Sequence, residues 1–242
     1  MKISFIGTGT MGSVTRGNQS LLVDDILFDV GSGTVKRMES QGIYTKNINC
    51  LVISHCHADH FFDLPNYLIG RNIRNEHTKR TLPIIGGVGI KKKAIELFQL
   101  AFGDGNKDKY KHFERDFNVK FIELKNGEKY EEAGFKITAY DLEHGDCKPI
   151  TGFILEKDGK KLGYASVTIL CEILQIMCKE AEIMCIDATI SVPTRMHIGL
   201  EEVLWLKEQN TSTRFLAIHW SDYVLSHIME VEFPEDGESI EV

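Results

Sequence analysis

No apolar run in this 242-residue chain approaches the roughly 18 residues that a membrane-crossing helix requires. The opening residues, Met1-Lys2-Ile3-Ser4-Phe5-Ile6, are too few and too strand-like for a secretory signal, so a cytoplasmic location with no membrane partner is the expectation. Clustered positive charge is scarce as well. The formal net charge is −7, the isoelectric point is near 5.7, and Lys91-Lys92-Lys93 is the only tight basic run. Phosphate backbones are held by grouped Lys and Arg, which makes extended nucleic acid an unfavoured partner. The lysine triplet, at the start of a predicted helix, reads as a solvated face. Paired cysteines are missing too: Cys50, Cys56, Cys147, Cys171, Cys178 and Cys185 show neither zinc-knuckle nor redox spacing and read as reduced, mostly buried thiols. Cys171 and Cys178 are expected on one face of a core helix and Cys185 on the next strand. No longer repeat or low-complexity tract occurs. The apolar fraction of 43% and charged fraction of 26% are those of a globular protein, and the length allows one large domain or two small ones.

What the chain does have is His55-Cys56-His57-Ala58-Asp59-His60 directly after an apolar strand candidate, Leu51 to Ile53. On an extended strand end His55 and His57 project to the same side, so both imidazoles can reach one cation. Asp59 and His60 fall where the chain turns and can diverge toward a second ion. Cys56 should point the other way and pack beneath. A histidine-rich turn in solvent is the plain alternative, and a lone His-x-His would be only that.

The stretch resembles the His-x-His-x-Asp-His signature of the metallo-β-lactamase superfamily, and the resemblance continues along nearly the whole chain. Gly7-Thr8-Gly9-Thr10, Leu21-Leu22-Val23 and Leu27 to Thr34 are similar to the opening hairpins of that fold. Leu142-Glu143-His144 resembles its third motif. Asp187-Ala188-Thr189 is similar to the His-Glu-Ala-Thr motif of the ribonuclease Z branch, with Ile186 in place of the histidine. His197 and Ile218-His219-Trp220-Ser221 resemble the branch's last two histidine motifs. The resemblance implies an α/β fold, an αββα sandwich of two mixed sheets flanked by helices, formed by residues 1–242 as a single domain. It also implies one metal site of His55, His57 and His144 and another of Asp59, His60 and His219, each with the three protein ligands that suffice for a catalytic zinc. Imidazole and carboxylate would also suit manganese or iron. A homodimer is implied as well. One step departs from the family: where an aspartate bridges the two metals, this chain reads Ser166-Val167-Thr168, and valine has no donor atom. Weaker retention, of one ion or two, is therefore expected. Cys147, three residues past His144, is read as a bystander.

Periodicity supports a strand-rich, helix-containing order in each half. Residues 2–6, 20–23 and 26–30 read as antiparallel strands, with further strands at 82–85, 119–124, 135–142, 152–155, 161–165 and 183–187 and a turn at Lys157-Asp158-Gly159. Helices are predicted over 34–41, 64–75, 89–101, 169–179 and 199–210. The charged stretch 103–115 reads as a mobile connection, either a lid or a solvated loop. Gly7, Gly9 and Gly12 satisfy Gly-x-Gly-x-x-Gly, with Asp29 near the place of a ribose-binding acid. Residues 10–18, however, have no apolar face for the helix a dinucleotide fold would need.

The implied chemistry is hydrolysis: a bound metal lowers the pKa of water from about 16 to roughly 7. Asp59 is the expected general base. By resemblance His197 would contact the scissile phosphate or protonate the leaving oxygen, with Asp187 orienting it. Between the third motif and the bridging position, 153–164 is a bare hairpin without the arm that bacterial-type enzymes use to hold transfer RNA. A small phosphodiester, a cyclic nucleotide or another small ester is therefore the expected substrate. The alternatives are a 3′-processing nuclease without the arm and an inactive metal- or ligand-binding form, the latter motivated by Val167 alone.

Overall fold

Neighbouring residues within a strand enter different apolar layers, and this alternation sets the architecture. The computed structural model describes residues 1–78, 80–103, 110–132, 134–222, 224 and 231–242. In chain order the strands are β1 (Lys2–Gly7), β2 (Ser20–Val23), β3 (Ile26–Phe28), β4 (Cys50–Ile53), β5 (Leu82–Gly87), β6 (Val119–Leu124), β7 (Lys129–Glu132), β8 (Phe135–Asp141), β9 (Thr151–Lys157), β10 (Lys160–Ala165), β11 (Ile183–Asp187), β12 (Arg214–Ile218) and β13 (Ser239–Glu241). The helices are α1 (Thr34–Ser40), α2 (Ala58–Phe61), α3 (Leu64–Ile73), α4 (Ile90–Phe102), α5 (Phe113–Phe117), α6 (Glu172–Glu180) and α7 (Leu200–Gln209). One sheet has the order β13-β1-β2-β3-β4-β5-β6 and the other β12-β11-β10-β9-β8-β7. Both are mixed. β3 through β6 run parallel to one another, as do β10, β11 and β12, while the remaining pairs are antiparallel.

In β4, Cys50 and Val52 enter the layer between the two sheets, whereas Leu51 and Ile53 enter the layer covered by α3 and α4. In β11, Ile183 and Cys185 face the same inter-sheet layer, and Met184 and Ile186 pack beneath α6 and α7. Helix, sheet, sheet and helix are thus stacked with three apolar layers between them, the αββα sandwich expected from the motifs. The parallel strands β3 and β4 and the parallel strands β11 and β12 all end on one edge, where the histidines collect.

Several elements differ from expectation for local reasons. Residues 104–109 of the predicted connection lie outside the described residues, but its last part is helical. Phe113 and Phe117 of α5 pack their rings at 4.8 and 4.9 Å from Phe98 of α4, so buried aromatic area orders a segment whose charges suggested a loop. The helix predicted from residue 169 starts at Glu172, because the Ile169 amide is bonded to the Glu143 carbonyl at 3.0 Å and Cys171 becomes the extended N-cap. Cys171 thus caps the helix instead of lying within it, but it packs against the same apolar layer as Cys178. β7, β12 and β13 were not foreseen; β7 and β13 are short edge strands, and β13 pairs with β1 from the far end of the chain. Asp158 and Gly159 both have positive φ, 52° and 75°, as the tight hairpin turn requires.

Candidate metal centre

Asp29 follows β3, and its backbone is in the left-handed region at φ 58°. The carboxylate is fully buried and receives the Ser54 amide on Oδ1 at 2.7 Å. Its Oδ2 is met by the Ser54 hydroxyl at 2.7 Å, the Tyr164 hydroxyl at 2.8 Å and His60 Nδ1 at 2.8 Å. A buried carboxylate is tolerated only when so fully bonded. The next turn is fixed by backbone contact: a Cβ on Gly31 would fall 1.8 Å from the Asp59 carbonyl oxygen, so only glycine lets this turn lie against α2. Val30 N donates to His60 O at 2.8 Å there. The sequence after β4 is thereby held in place from behind.

The structure brings all six expected ligands to this edge in two adjoining groups. Within His55, His57 and His144, and likewise within Asp59, His60 and His219, one nitrogen or carboxylate oxygen per residue lies within 4.8 Å of the others. The His55 and His60 rings, one from each group, have centroids 4.2 Å apart. In four of the histidines Nδ1 is engaged by the scaffold. His55 Nδ1 meets Ser54 Oγ at 3.0 Å, His60 Nδ1 meets Asp29, His144 Nδ1 donates to the Met196 carbonyl at 2.5 Å, and His219 Nδ1 meets Thr189 Oγ1 at 2.6 Å. The Thr189 hydroxyl donates to Asp187 Oδ1 at 2.5 Å and so accepts from His219 Nδ1–H. Each Nε2 is then the atom turned to its neighbours in the cluster.

The fit to a cation rests on atoms that nothing else satisfies. His55 Nε2, His60 Nε2 and Asp59 Oδ1 are buried and have no hydrogen-bond partner. A native interior rarely leaves such groups orphaned, and three together at one point suit a divalent cation, which needs lone pairs without competing donors.

The two groups differ in charge. Burial, aided by neighbouring imidazoles, pushes His55 well below its ordinary value, lowers His57 and takes His144 down to about 4, so this group is neutral at pH 7. In the other group burial also disfavours the imidazolium of His60, but the hydrogen bonds and charges of Asp29 and Asp59 outweigh it and raise His60 to about 9. His219 is likewise raised, burial being outweighed by Asp187 and Asp59. Burial opposes ionisation of Asp59 and Asp187, yet their histidine partners hold both carboxyls far below the usual range.

His197 stands beside both groups, its ring centroid 5.0 Å from His144 and stacked 5.9 Å from His219. Its Nδ1 is 2.9 Å from Asp187 Oδ2. Asp187 also accepts the Thr189 amide at 2.9 Å, so one buried carboxylate braces both His197 and His219. Val167 is buried between Ser166, whose hydroxyl reaches Ser54 at 2.9 Å, and Thr168, whose amide reaches Asp187 at 3.4 Å. Cys56 packs against the helix-side core, as expected, and Cys147 is half-buried next to it.

Sequence reasoning missed the supports: Ser54, Tyr164, Thr189 and Gln19, whose Oε1 accepts the amide of the left-handed His219 at 3.2 Å. Asp29 was read as part of the opening-hairpin resemblance and as an unfavoured ribose ligand, without a supporting role, and its partners Ser54, Tyr164 and His60 exclude the ribose role. A carboxylate ending an apolar strand is the one signal that pointed to it. Gly7, Gly9 and Gly12 serve a loop without a helix, bridged at Gly9 to Asn18 and Trp220.

Sandwich and cluster together define a metallo-β-lactamase-fold protein of the ribonuclease Z-like class. The family model of anti-Pycsar protein Apyc1 matches residues 1–235, and the chain belongs to that family. The ribonuclease Z of Staphylococcus carnosus (strain TM300) is 30% identical over 164 residues, 64% of this chain and 49% of the relative, so the chain spans about half the length of the curated relative. The crystal structure of human tRNase Z, short form, superposes with a TM-score of 0.75 at 20% identity, covering 100% of this chain and 99% of that one. A diphosphatase of the PhnP family gives 0.77 at 18% identity, covering 100% and 97%. Among the described residues, no helix is long and apolar enough to cross a membrane.

Proposed function

We propose that this chain is a metal-dependent hydrolase of a small phosphodiester, a cyclic nucleotide or another small ester. The observation that carries the reading is the pair of adjoining three-ligand groups with buried, partnerless Nε2 and carboxylate atoms. His55, His57 and His144 would hold one zinc ion, and Asp59, His60 and His219 a second; manganese or iron would suit the same donors. When bound, such a cation supplies Lewis acidity that acidifies water and offsets charge gathering on a phosphoryl oxygen.

The chain's own residues do the rest. Asp29 and Asp187 fix the imidazoles in the tautomer that leaves Nε2 free, which is the usual work of carboxylates behind metal-binding histidines. Asp59 would take a proton from the attacking water, a role supported by its having one oxygen toward His219 and the other unpartnered. His197, oriented by Asp187, offers its other nitrogen to the substrate or the leaving oxygen. Small substrates are favoured because β9 and β10 are joined by a tight turn with no arm, and because the net charge is −7. Residues 1–242 would act as one catalytic unit, and a homodimer, checked by sedimentation equilibrium, is the proposed assembly.

Hydrolysis of bis(p-nitrophenyl) phosphate and of a panel of 2′,3′- and 3′,5′-cyclic nucleotides, with added zinc or manganese and with chelator, tests this. Metal-dependent turnover of at least one is expected; trimming of precursor transfer RNA with no turnover of any small diester would reject it. Val167 motivates a second reading, a binding protein without turnover, which predicts metal uptake and no hydrolysis of the whole panel.

A further inference from the structure

Two clefts of this acidic chain are each lined by four lysines, but in the one between β9 and the β7–β8 hairpin four carboxylates, Glu131, Glu132, Glu156 and Asp158, stand among them. Lys92, Lys93, Lys125 and Lys148 line a cleft of about 320 Å³ that holds a single carboxylate, Asp141. Lys92 and Lys93 share the exposed Glu96, at 3.8 and 3.2 Å, and among the described residues Lys125 and Lys148 form no ion pair. The start of α4 is already capped by Glu123, whose Oε1 accepts from Gly89 N at 2.7 Å, so the positive field of the cleft comes from the lysines. Val88, Leu124 and Ile150 supply an apolar wall between the cations. The volume is at the lower end of the range for small-ligand sites, and an apolar wall with a few converging charges is the make-up of such sites.

Its position in the fold matters. β4, β5 and β6 are successive parallel strands, and the cleft lies at the carboxyl ends of β5 and β6 on the edge where β4 delivers His55. Lys148 belongs to the loop that carries His144, and Thr151, just beyond the cleft, donates its amide to the Ser54 carbonyl at 3.0 Å. We infer that this cleft is a second binding site, for the phosphate group of a nucleotide-sized ligand, on the order of 10 Å from the histidine cluster. The lysines neutralise the phosphate and the apolar wall receives the ligand's body. The site stands whether or not the cluster is catalytic.

Isothermal titration of the full chain with adenosine 5′-monophosphate and with inorganic phosphate, in low salt to avoid screening, tests it. Saturable binding of the nucleotide, tighter than of inorganic phosphate and unchanged by chelator, is expected. Lys125→Gln/Lys148→Gln should weaken it at least about tenfold, as should Lys92→Gln/Lys93→Gln, while Lys160→Gln on the far hairpin leaves it alone. Absence of binding, equal weakening by Lys160→Gln, loss of binding on chelation, or no effect of either double variant would overturn the site. If the phosphate belongs to the substrate, the Lys125/Lys148 variant raises KM for a 5′-phosphorylated dinucleotide far more than for bis(p-nitrophenyl) phosphate. If it belongs to a separate nucleotide, only monophosphate binding weakens.

Discussion

The two candidate ligand groups have equal numbers of possible protein donors but opposite surroundings. His55, His57 and His144 are three imidazoles steadied by a hydroxyl and a carbonyl, and burial leaves them neutral. Asp59, His60 and His219 are backed by the buried carboxylates Asp29 and Asp187, which draw protons onto the imidazoles. Ligand count alone therefore does not set how a site behaves. On the proposed reading, a cation entering the second group would displace protons and gain a carboxylate, whereas the first group would need no deprotonation and would offer no charge.

The largest test of this contrast removes the carboxylate itself. On the proposed reading Asp59→Ala lowers kcat/KM for bis(p-nitrophenyl) phosphate by more than about 100-fold and metal content, measured by inductively coupled plasma spectrometry, by one ion. If His57→Ala strips metal and Asp59→Ala does not, the carboxylate is not what holds a cation at this edge. Asp29→Asn should cost about 3–5 kcal/mol of stability in urea unfolding, because it uncouples His60 from a buried charge partner, and reduce metal affinity about 10–100-fold. Val167→Asp sharpens the comparison from the opposite direction: on the family resemblance a carboxylate at this position serves both groups, and it should raise metal retention and rate. A variant that gains neither would show that position 167 does not limit the centre.

Smaller effects appear in the pH dependence of the metal-free protein. His144 has a folded pKa near 4, below the ordinary 6.5, so its contribution is present above pH 6.5 and is lost as pH falls toward 4. His60 has a folded pKa near 9, so its contribution is full below pH 6.5 and is lost as pH rises toward 9. A melting temperature that peaks near pH 6.5 in chelator is expected, and zinc should flatten the alkaline limb by replacing the proton. A single acid-side or alkaline-side slope would show that the groups are not opposed. The smallest effect is expected of Ser54→Ala, about 1 kcal/mol, since Asp29 keeps its other bonds.

Most of the fold was legible because strands here are short apolar runs bounded by turn residues, and the six candidate ligands stand in recognisable motifs. β7 and β13 escaped notice because edge strands carry little apolar signal, and α5 because its helix depends on the ring of Phe98 from another element.

Sequence by itself determined which side chains can bind a cation and which position lacks a donor, since these are properties of residue type and order. Tertiary structure alone decided which nitrogen of each histidine is free, which carboxylates stand behind them, and that Lys92, Lys93, Lys125 and Lys148 share one cleft. Hydrogen bonds and electrostatic fields depend on distance through space, and decisive partners here, Tyr164 with Asp29 and His219 with Asp59, lie 135 and 160 positions apart along the chain.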